Sequence, residues 1–499
     1  MALRRVTALS IVLLAVQAQT TSSASACSTI AALHAAPSVA PGFRVQVVAN
    51  GLTRPRGIQF DAAGGLLVVE QAVGITRLRL AGEGACVRVE GQGVRVVSDG
   101  SLNHGIALSR DGRTLYGSSA TDVYAWNYDA SQGSTTSSSR VVIGDLGDDG
   151  GHETRTLLIT QNVPDMLLVS RGSLGNIDPS ALNVSTGIST IKAFNMANAT
   201  GSEYSYIDDG LLLGWGLRNS VGVAEDPASG AIYSVENSVD NFARNGENVH
   251  QNNPGEEMNY HGFLNGTATE QQGGNYGYPS CFAAWDVDEI PNNNGIQTGS
   301  QVAIGNQTDT VNDNLCQNDR VAPRLTFAAH MAPLDLKFNT EGTAAWVAFH
   351  GSWNRDEPIG YKLSLVQFDG NGSPIASSDS QTAAIDIVAN PDMSACPGSC
   401  FRPVGLAWDS QGRLFMSSDS TGEIYVVTRD DGSGVNDVSE GPVVVAPSGT
   451  PSGRPTASPS ATTTSGASQP TGSAQSKAGM NEASYWLLGA GFVGALQMV

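Results

Sequence analysis

Apolar residues along the chain fall in short runs broken by turns rich in Asp and Gly, and one such unit recurs six times. The copies read Arg56-Gly57-Ile58-Gln59-Phe60-Asp61 with Gly65-Leu66-Leu67-Val68-Val69, and His104-Gly105-Ile106-Ala107-Leu108 with Leu115-Tyr116-Gly117-Ser118. The third is Arg155-Thr156-Leu157-Leu158-Ile159 with Met166-Leu167-Leu168-Val169-Ser170, and the fourth Ser220-Val221-Gly222-Val223-Ala224 with Gly230-Ala231-Ile232-Tyr233-Ser234. The last two are Pro333-Leu334-Asp335-Leu336-Lys337-Phe338 with Ala345-Trp346-Val347-Ala348, and Pro403-Val404-Gly405-Leu406-Ala407-Trp408 with Gly412-Arg413-Leu414-Phe415-Met416-Ser417. Each unit predicts a hairpin, because two apolar strands flank a turn. A hairpin cannot bury both faces alone, so similar units of this length predict a six-bladed β-propeller, an all-β fold, over a sandwich. The copies are unevenly spaced, and the longest interval, about 243–325, predicts loops on one face.

Composition agrees. Gly is abundant at 58 residues and only 15% of residues are charged, which favours turns and strands over helices. The balance of 27 Lys+Arg against 47 Asp+Glu gives a net charge of −20, which argues against a nucleic-acid partner.

Both termini carry processing signals. Arg4 and Arg5, the apolar run Val6 to Val16 and Ala24-Ser25-Ala26 predict a secretory signal over 1–26. A Ser/Thr/Pro-rich stalk is expected over 438–476. Gly472-Ser473-Ala474, a polar spacer and the apolar tail from Tyr485 to Val499 predict a glycosylphosphatidylinositol anchor signal over 477–499. The propeller domain is then 27–437. The protein is expected to be secreted and lipid-anchored at the outer face of the plasma membrane or the cell wall. Sequons at Asn183, Asn198, Asn265, Asn306 and Asn371 suit a glycosylated surface, although Pro374 weakens the last. In an oxidising compartment the six cysteines predict three disulfides. Cys396 with Cys400 would staple a turn, Cys281 with Cys316 would close the long interval, and Cys27 with Cys86 remain.

Candidate chemistry lies in polar residues at the repeat edges, since loops at one end of a propeller surround its axial channel. Arg56, Arg155, Arg218, Arg355 and Arg402 are read as lying at equivalent places, which points to an anionic ligand on the axis held by guanidinium forks. His152, in Gly150-Gly151-His152-Glu153, has Asp145, Asp148, Asp149 and Glu153 nearby in sequence and is the candidate general base. His104, placed like Arg56, is its rival. Neither a glycine-rich dinucleotide fingerprint before a helix nor a CxxCH motif is found, so NAD, FAD and haem are disfavoured.

Leu217-Arg218-Asn219, His350-Gly351-Ser352-Trp353-Asn354-Arg355 and Arg402-Pro403-Val404-Gly405-Leu406 resemble the soluble glucose/sorbosone dehydrogenases. These quinoproteins use pyrroloquinoline quinone (PQQ), and the likeness is greatest to the fungal pyranose dehydrogenase group. It runs over about residues 40–430. The resemblance implies a six-bladed propeller that holds PQQ and Ca2+ at its axis and oxidises a pyranose sugar. It further implies His152 as the base and Arg218 with Asn219 facing the quinone oxygens. Arg56, Arg155, His350, Trp353, Asn354, Arg355 and Arg402 would line the cofactor pocket, with Trp353 stacked on the ring. Calcium is expected partly on backbone carbonyls of Asn237-Ser238-Val239-Asp240, with Ser238 and Asp240 as its ligands. The electrons would pass to an external acceptor, an extracellular cytochrome or a copper oxygenase. Taken without the resemblance, the residues leave open a calcium-dependent propeller hydrolase such as a lactonase and a non-catalytic glycan-binding propeller.

Overall fold

The computed structural model describes residues 29–147, 150–199 and 201–439. Among the described residues, six larger sheets are each built on an antiparallel four-stranded core. Blade 1 runs Pro55–Phe60, Leu66–Glu70, Gly74–Leu78 and Val94–Ser98. Blade 2 follows with Ile106–Leu108, Thr114–Ser118, Val123–Asp129 and Arg140–Gly144. Blade 3 has Leu157–Ile159, Met166–Arg171, Thr190–Asn195 and Leu211–Trp215, and blade 4 has Ser220–Glu225, Ala231–Glu236, Glu256–Phe263 and Leu325–Phe327. Blade 5 has Pro333–Phe338, Ala344–Phe349, Lys362–Gln367 and Ile385–Ala389. In blade 6, Pro403–Trp408, Leu414–Ser418 and Glu423–Arg429 are completed by the early strand Phe43–Ala49, which pairs Phe43 with Arg429 and Val47 with Tyr425. This pairing joins the two ends of the propeller and shuts the ring.

The first strand of each blade touches the first strand of the next, all the way round, so these six strands form the hub. The repeat read from the sequence is therefore the inner hairpin of each blade. The third strands are mostly buried but carry polar residues such as Thr76, Lys192 and Asn259 within them, and several of the outermost strands are partly wet, so neither shows a clean apolar run. Val94–Ser98, for example, is largely exposed. The interval 243–325 is likewise not all loop, since it contains the outer strands of blade 4. Its remaining segments form a small hairpin, Cys281–Ala283 with Gln301–Ala303, and a helix, Asp313–Asp319. The disulfide Cys281–Cys316 ties these together, as does the buried Arg244 on the Asp313 carboxylate at 2.7 Å.

Apolar side chains fill the wedges between blades. Tyr233, Phe338 and Phe368 pack edge to face between blades 4 and 5, and Trp346 is fully buried between blades 5 and 6. The second expected disulfide, Cys396–Cys400, is present. Cys86 is disulfide-bonded, and its expected partner Cys27 lies outside the described residues. So do the signal segment 1–26 and the second unit of the chain, Pro442–Val499, where most of the stalk and the anchor signal fall. The carbonyls of Val438 and Ser439 accept hydrogen bonds from Asn339 and Gln367 of blade 5, so packed chain runs two residues past the expected 437 boundary.

At the hub the strands are close enough that side chains are excluded. A Cβ on Gly405 would stand 2.4 Å from the carbonyl oxygen of Arg56, and one on Gly105 would stand 2.1 Å from that of Arg155. Gly405→Ala should therefore lower unfolding free energy by about 1–3 kcal/mol, the usual cost of overpacking a close contact. Gly398→Ala, where a Cβ meets nothing within 4 Å, is the control. Guanidinium melts of the two variants check this, and equal midpoints would refute the crowding argument.

Candidate functional site

Because every inner strand runs the same way along the axis, the residues just before it gather at one mouth of the hub. Arg56, His104, Arg155, Arg218 with Asn219, and Arg402 all stand there, buried or nearly so. The loops leaving the second strands end at the same mouth and bring Ser173, Asn176, the 237–240 turn, the 350–355 run and Asp419. Arg355 is not in register with the other arginines. It sits in the loop between Ala344–Phe349 and Lys362–Gln367, where it donates to the carbonyls of Glu357 and Gln251.

His152 lies between Gly151 and blade 3 and is 4% exposed. Its backbone N–H donates to the Ser173 carbonyl at 3.0 Å. Ring Nδ1 lies 3.0 Å from that same carbonyl and 3.0 Å from the Ser173 hydroxyl. Nε2 makes no hydrogen bond among the described residues. Burial above all, then the charges of Arg218 and Arg155, pull the ring's pKa down to about 3. Of the four acids expected to poise the base, Asp145 and Glu153 are among the described residues. Asp148 and Asp149 lie outside the described residues, and neither Asp145 nor Glu153 bonds to the ring. Among the described residues its neighbours are cations and neutral oxygens. Asn219 stands beside it, because Gly172 has no side chain; a Cβ there would be 2.7 Å from both Asn219 Oδ1 and His152 Cβ.

Arg218 is held on three sides. It pairs with the Asp240 carboxylate at 2.9 Å, donates to Asn176 through Nε and a terminal nitrogen, and reaches the Asn237 carbonyl at 3.3 Å. Its backbone N–H is capped by Glu236 at 2.5 Å. Behind the 237–240 turn the buried Glu256 accepts the Ser238 N–H at 2.6 Å, and burial pushes this carboxyl up to about 7. Arg56 pairs with Asp419 at 2.6 Å, and the other oxygen of Asp419 lies 2.8 Å from His350 Nε2. Although burial opposes it, His350 and Arg56 hold Asp419 well below the usual carboxylate range. Burial, then Arg402, brings His350 down to about 4. Arg402 donates to the His350 and Gly351 carbonyls at 3.1 and 2.7 Å and lies over the Tyr361 ring.

Two features at this mouth suit a flat anion. Arg402 and Arg355 meet only carbonyl oxygens among the described residues, so their charge has no carboxylate in contact. Burial lowers the pKa of both, the mark of cations short of compensation. The Trp353 indole is 48% exposed and so has a face to offer. Asn354 donates to the Asp240 carbonyl at 2.6 Å and fastens the 350–355 run to the 237–240 turn, while its own Oδ1 is buried without a partner. The residues therefore fit a planar polycarboxylate.

The calcium expectation fits less well. The Asp240 carboxylate is engaged by Arg218 and its carbonyl by Asn354, and no cage of three or more His, Cys, Asp or Glu side chains exists among the described residues. Ser238 stands in the turn as expected, with only carbonyls to offer beside it. His104 is buried, its Nδ1 without a partner, and burial above all, then the charge of Arg56, holds its pKa well below the ordinary value. Asp419, Ser173 and Asn176 were overlooked in the sequence. A polar residue just past each repeat core was the available signal, and Asp419, two residues past Ser417, satisfies it.

Comparison with known proteins now adds to the geometry. Residues 37–430 match the TrAA12-like family model. The chain is 46% identical over 406 residues to a pyrroloquinoline quinone-dependent sugar dehydrogenase of Hypocrea jecorina (strain QM6a), covering 80% of this chain and 92% of that protein. It is 37% identical over 410 residues to a pyrroloquinoline quinone-dependent pyranose dehydrogenase of Coprinopsis cinerea, covering 79% of this chain but only 55% of that longer protein. Among solved structures, the calcium structure of Trichoderma reesei carbohydrate-active enzymes family AA12 superposes with TM-score 0.78 at 46% identity, over 80% of this chain and 99% of the other. The holo form of the Coprinopsis cinerea pyranose dehydrogenase PQQ domain gives 0.73 at 36% identity, over 79% and 97%.

Removing the Asp419 carboxylate would strand two buried partners at once. Asp419→Ala should cost about 3–5 kcal/mol, as expected for a broken buried ion pair. Asp419→Asn, which keeps the shape and one acceptor, should cost less. Urea melts at neutral pH measure both, and an alanine variant as stable as the parent would show that Arg56 and His350 do not depend on it.

Proposed function

The chain belongs to the TrAA12-like family, and with the cationic mouth of the hub this leads us to propose a PQQ-dependent oxidoreductase that oxidises pyranose sugars at the anomeric or an adjacent carbinol. The single observation that carries the proposal is one mouth of the hub holding both a buried base, His152, and Arg402, whose guanidinium meets only carbonyl oxygens among the described residues. Arg402 and Arg355 would meet carboxylates of the quinone by two-point hydrogen bonding, Trp353 would cover a ring face, and Arg218, Asn219, Arg56, His350 and Asn354 complete the wall. Arg155, at the start of blade 3, adds positive charge beside His152.

Oxidation of a carbinol releases a hydroxyl proton and a carbon-bound hydride. A quinone supplies the hydride acceptor, which no amino-acid side chain can provide. His152 takes the proton at Nε2, the nitrogen left without a hydrogen-bond partner. With a pKa near 3 its ring is unprotonated at working pH and competent as a base. Burial keeps bulk water from competing for that nitrogen. A calcium ion, if bound in this reading, would draw on carbonyl oxygens of the 237–240 turn, Ser238 among them, since Arg218 holds the Asp240 carboxylate, and would supply Lewis-acid polarisation.

The sequence patterns at the two ends support a secreted chain anchored by glycosylphosphatidylinositol at the outer membrane face or wall, near its sugar. Electrons then leave to an external acceptor, an extracellular cytochrome or a copper oxygenase in this proposal.

The test is dye reduction by the purified chain with added PQQ and calcium over a panel of sugars. Reduction is expected only with the quinone present. His152→Ala should lower kcat by about 10²–10⁴-fold, the range for loss of a positioned base. Its PQQ affinity, read by quenching of tryptophan fluorescence, should be retained. Lactone hydrolysis without quinone, or sugar binding with no turnover, would overturn the proposal.

A further inference from the structure

The reaction needs His152 to present a bare Nε2, and the side chain that decides this is not an acid. Ring Nδ1 faces two oxygens of one residue, the Ser173 carbonyl and the Ser173 hydroxyl, each at 3.0 Å. A carbonyl can only accept. The hydroxyl has its own hydrogen engaged, since Ser173 Oγ donates to the Gly175 carbonyl at 2.7 Å, so it turns a lone pair toward the ring. Two acceptors converge on Nδ1, and only a ring protonated at Nδ1 satisfies them. Nε2 is then the lone-pair nitrogen. Ser173 is fully buried, and its backbone N–H is held by the Arg218 carbonyl at 2.8 Å, so the arrangement is built into blade 3.

We propose that Ser173 is the positioning residue of the base: its hydroxyl, polarised by Gly175, locks His152 in the Nδ1–H tautomer with neutral oxygens where a carboxylate would otherwise serve. The choice has a consequence. A carboxylate behind Nδ1 would stabilise the imidazolium and raise the ring's pKa, whereas a hydroxyl and a carbonyl fix the tautomer without adding charge. Among the described residues, the charged groups facing the ring are the cations Arg218 and Arg155. Asp178, the acid of the same loop, is turned onto the Leu174 and Ser180 N–H groups. His152 is thereby kept unprotonated as pH falls through 6.5, where an ordinary histidine would lose its base form.

The inference rests on the proposed reaction for its purpose, but its test does not need turnover. In the cofactor-free chain, two-bond 1H–15N correlation of the labelled imidazoles should show His152 protonated at Nδ1; an Nε2–H ring overturns the proposal whatever the variants do. Ser173→Asp should move the His152 pKa upward by about 1 to 3, as an added adjacent carboxylate does. In the loaded enzyme the acid limb of kcat/KM should follow in the same direction. Ser173→Ala keeps the carbonyl acceptor, so kcat should fall about three- to tenfold, the worth of one neutral hydrogen bond, with KM and PQQ affinity little changed. A pKa unmoved in Ser173→Asp, or a kcat unmoved in Ser173→Ala, would reduce Ser173 to packing. A chain with an Nδ1–H ring but no sugar oxidation would refute the proposed reaction and leave the role of Ser173 standing.

Discussion

Backbone crowding at the axis is the constraint from which the rest of this protein follows. Six first strands meet there, each against the next, at separations that leave no room for a Cβ at Gly105 or Gly405. Asp335 and Lys337 pair with each other on the inner strand of blade 5, while the arginines stand at the strand entrances, and all six entrances open on one face. The gathering of Arg56, Arg155, Arg218 and Arg402 at a single mouth is thus a geometric result of ring closure. The apolar wedges between blades, such as those around Trp346 and Tyr233, hold the sheets in the orientation that closure demands.

Buried charge sets the second layer of organisation. A chain of net charge −20 concentrates guanidinium groups where water is scarce, and each must find compensation. Arg56 and Arg218 find it in Asp419 and Asp240, which fixes their positions before any ligand arrives. Arg402 and Arg355 find only carbonyl dipoles. This division separates a rigid frame from a receptive surface. The frame holds the geometry, and the uncompensated cations supply the attraction for an anion.

The same environment tunes the base. An imidazole enclosed next to two arginines cannot hold a proton easily, and among the described residues no acid bonds to it to reverse the effect. Its low pKa and its fixed tautomer are separate properties with separate causes. The first comes from burial and neighbouring charge, the second from the two Ser173 oxygens. A base made in this way is weak but always available, and it depends on the reacting hydroxyl being acidified by whatever accepts the hydride.

How much of this could be read before folding varies from residue to residue. The apolar repeats specified six inner hairpins, because buried strands need apolar runs and tight turns need Asp and Gly whatever surrounds them. The Arg-Gly and His-Gly strand starts marked which residues would stand at the hub, and the run His350-Gly351-Ser352-Trp353-Asn354-Arg355 marked the family. The outer strands were invisible: an edge such as Val94–Ser98, largely in water, carries no strong pattern, and buried third strands such as Glu256–Phe263 are interrupted by polar residues. Partners were equally hidden: Arg56 meets Asp419 across 363 positions of chain, and His152 meets Ser173 across 21. Glu153, next in sequence, makes no hydrogen bond to the ring, whereas the distant Ser173 places two oxygens against it. Chain order alone fixes local conformation and burial preference; which charges and hydrogen-bonding groups face one another is decided only when the last blade closes on the first.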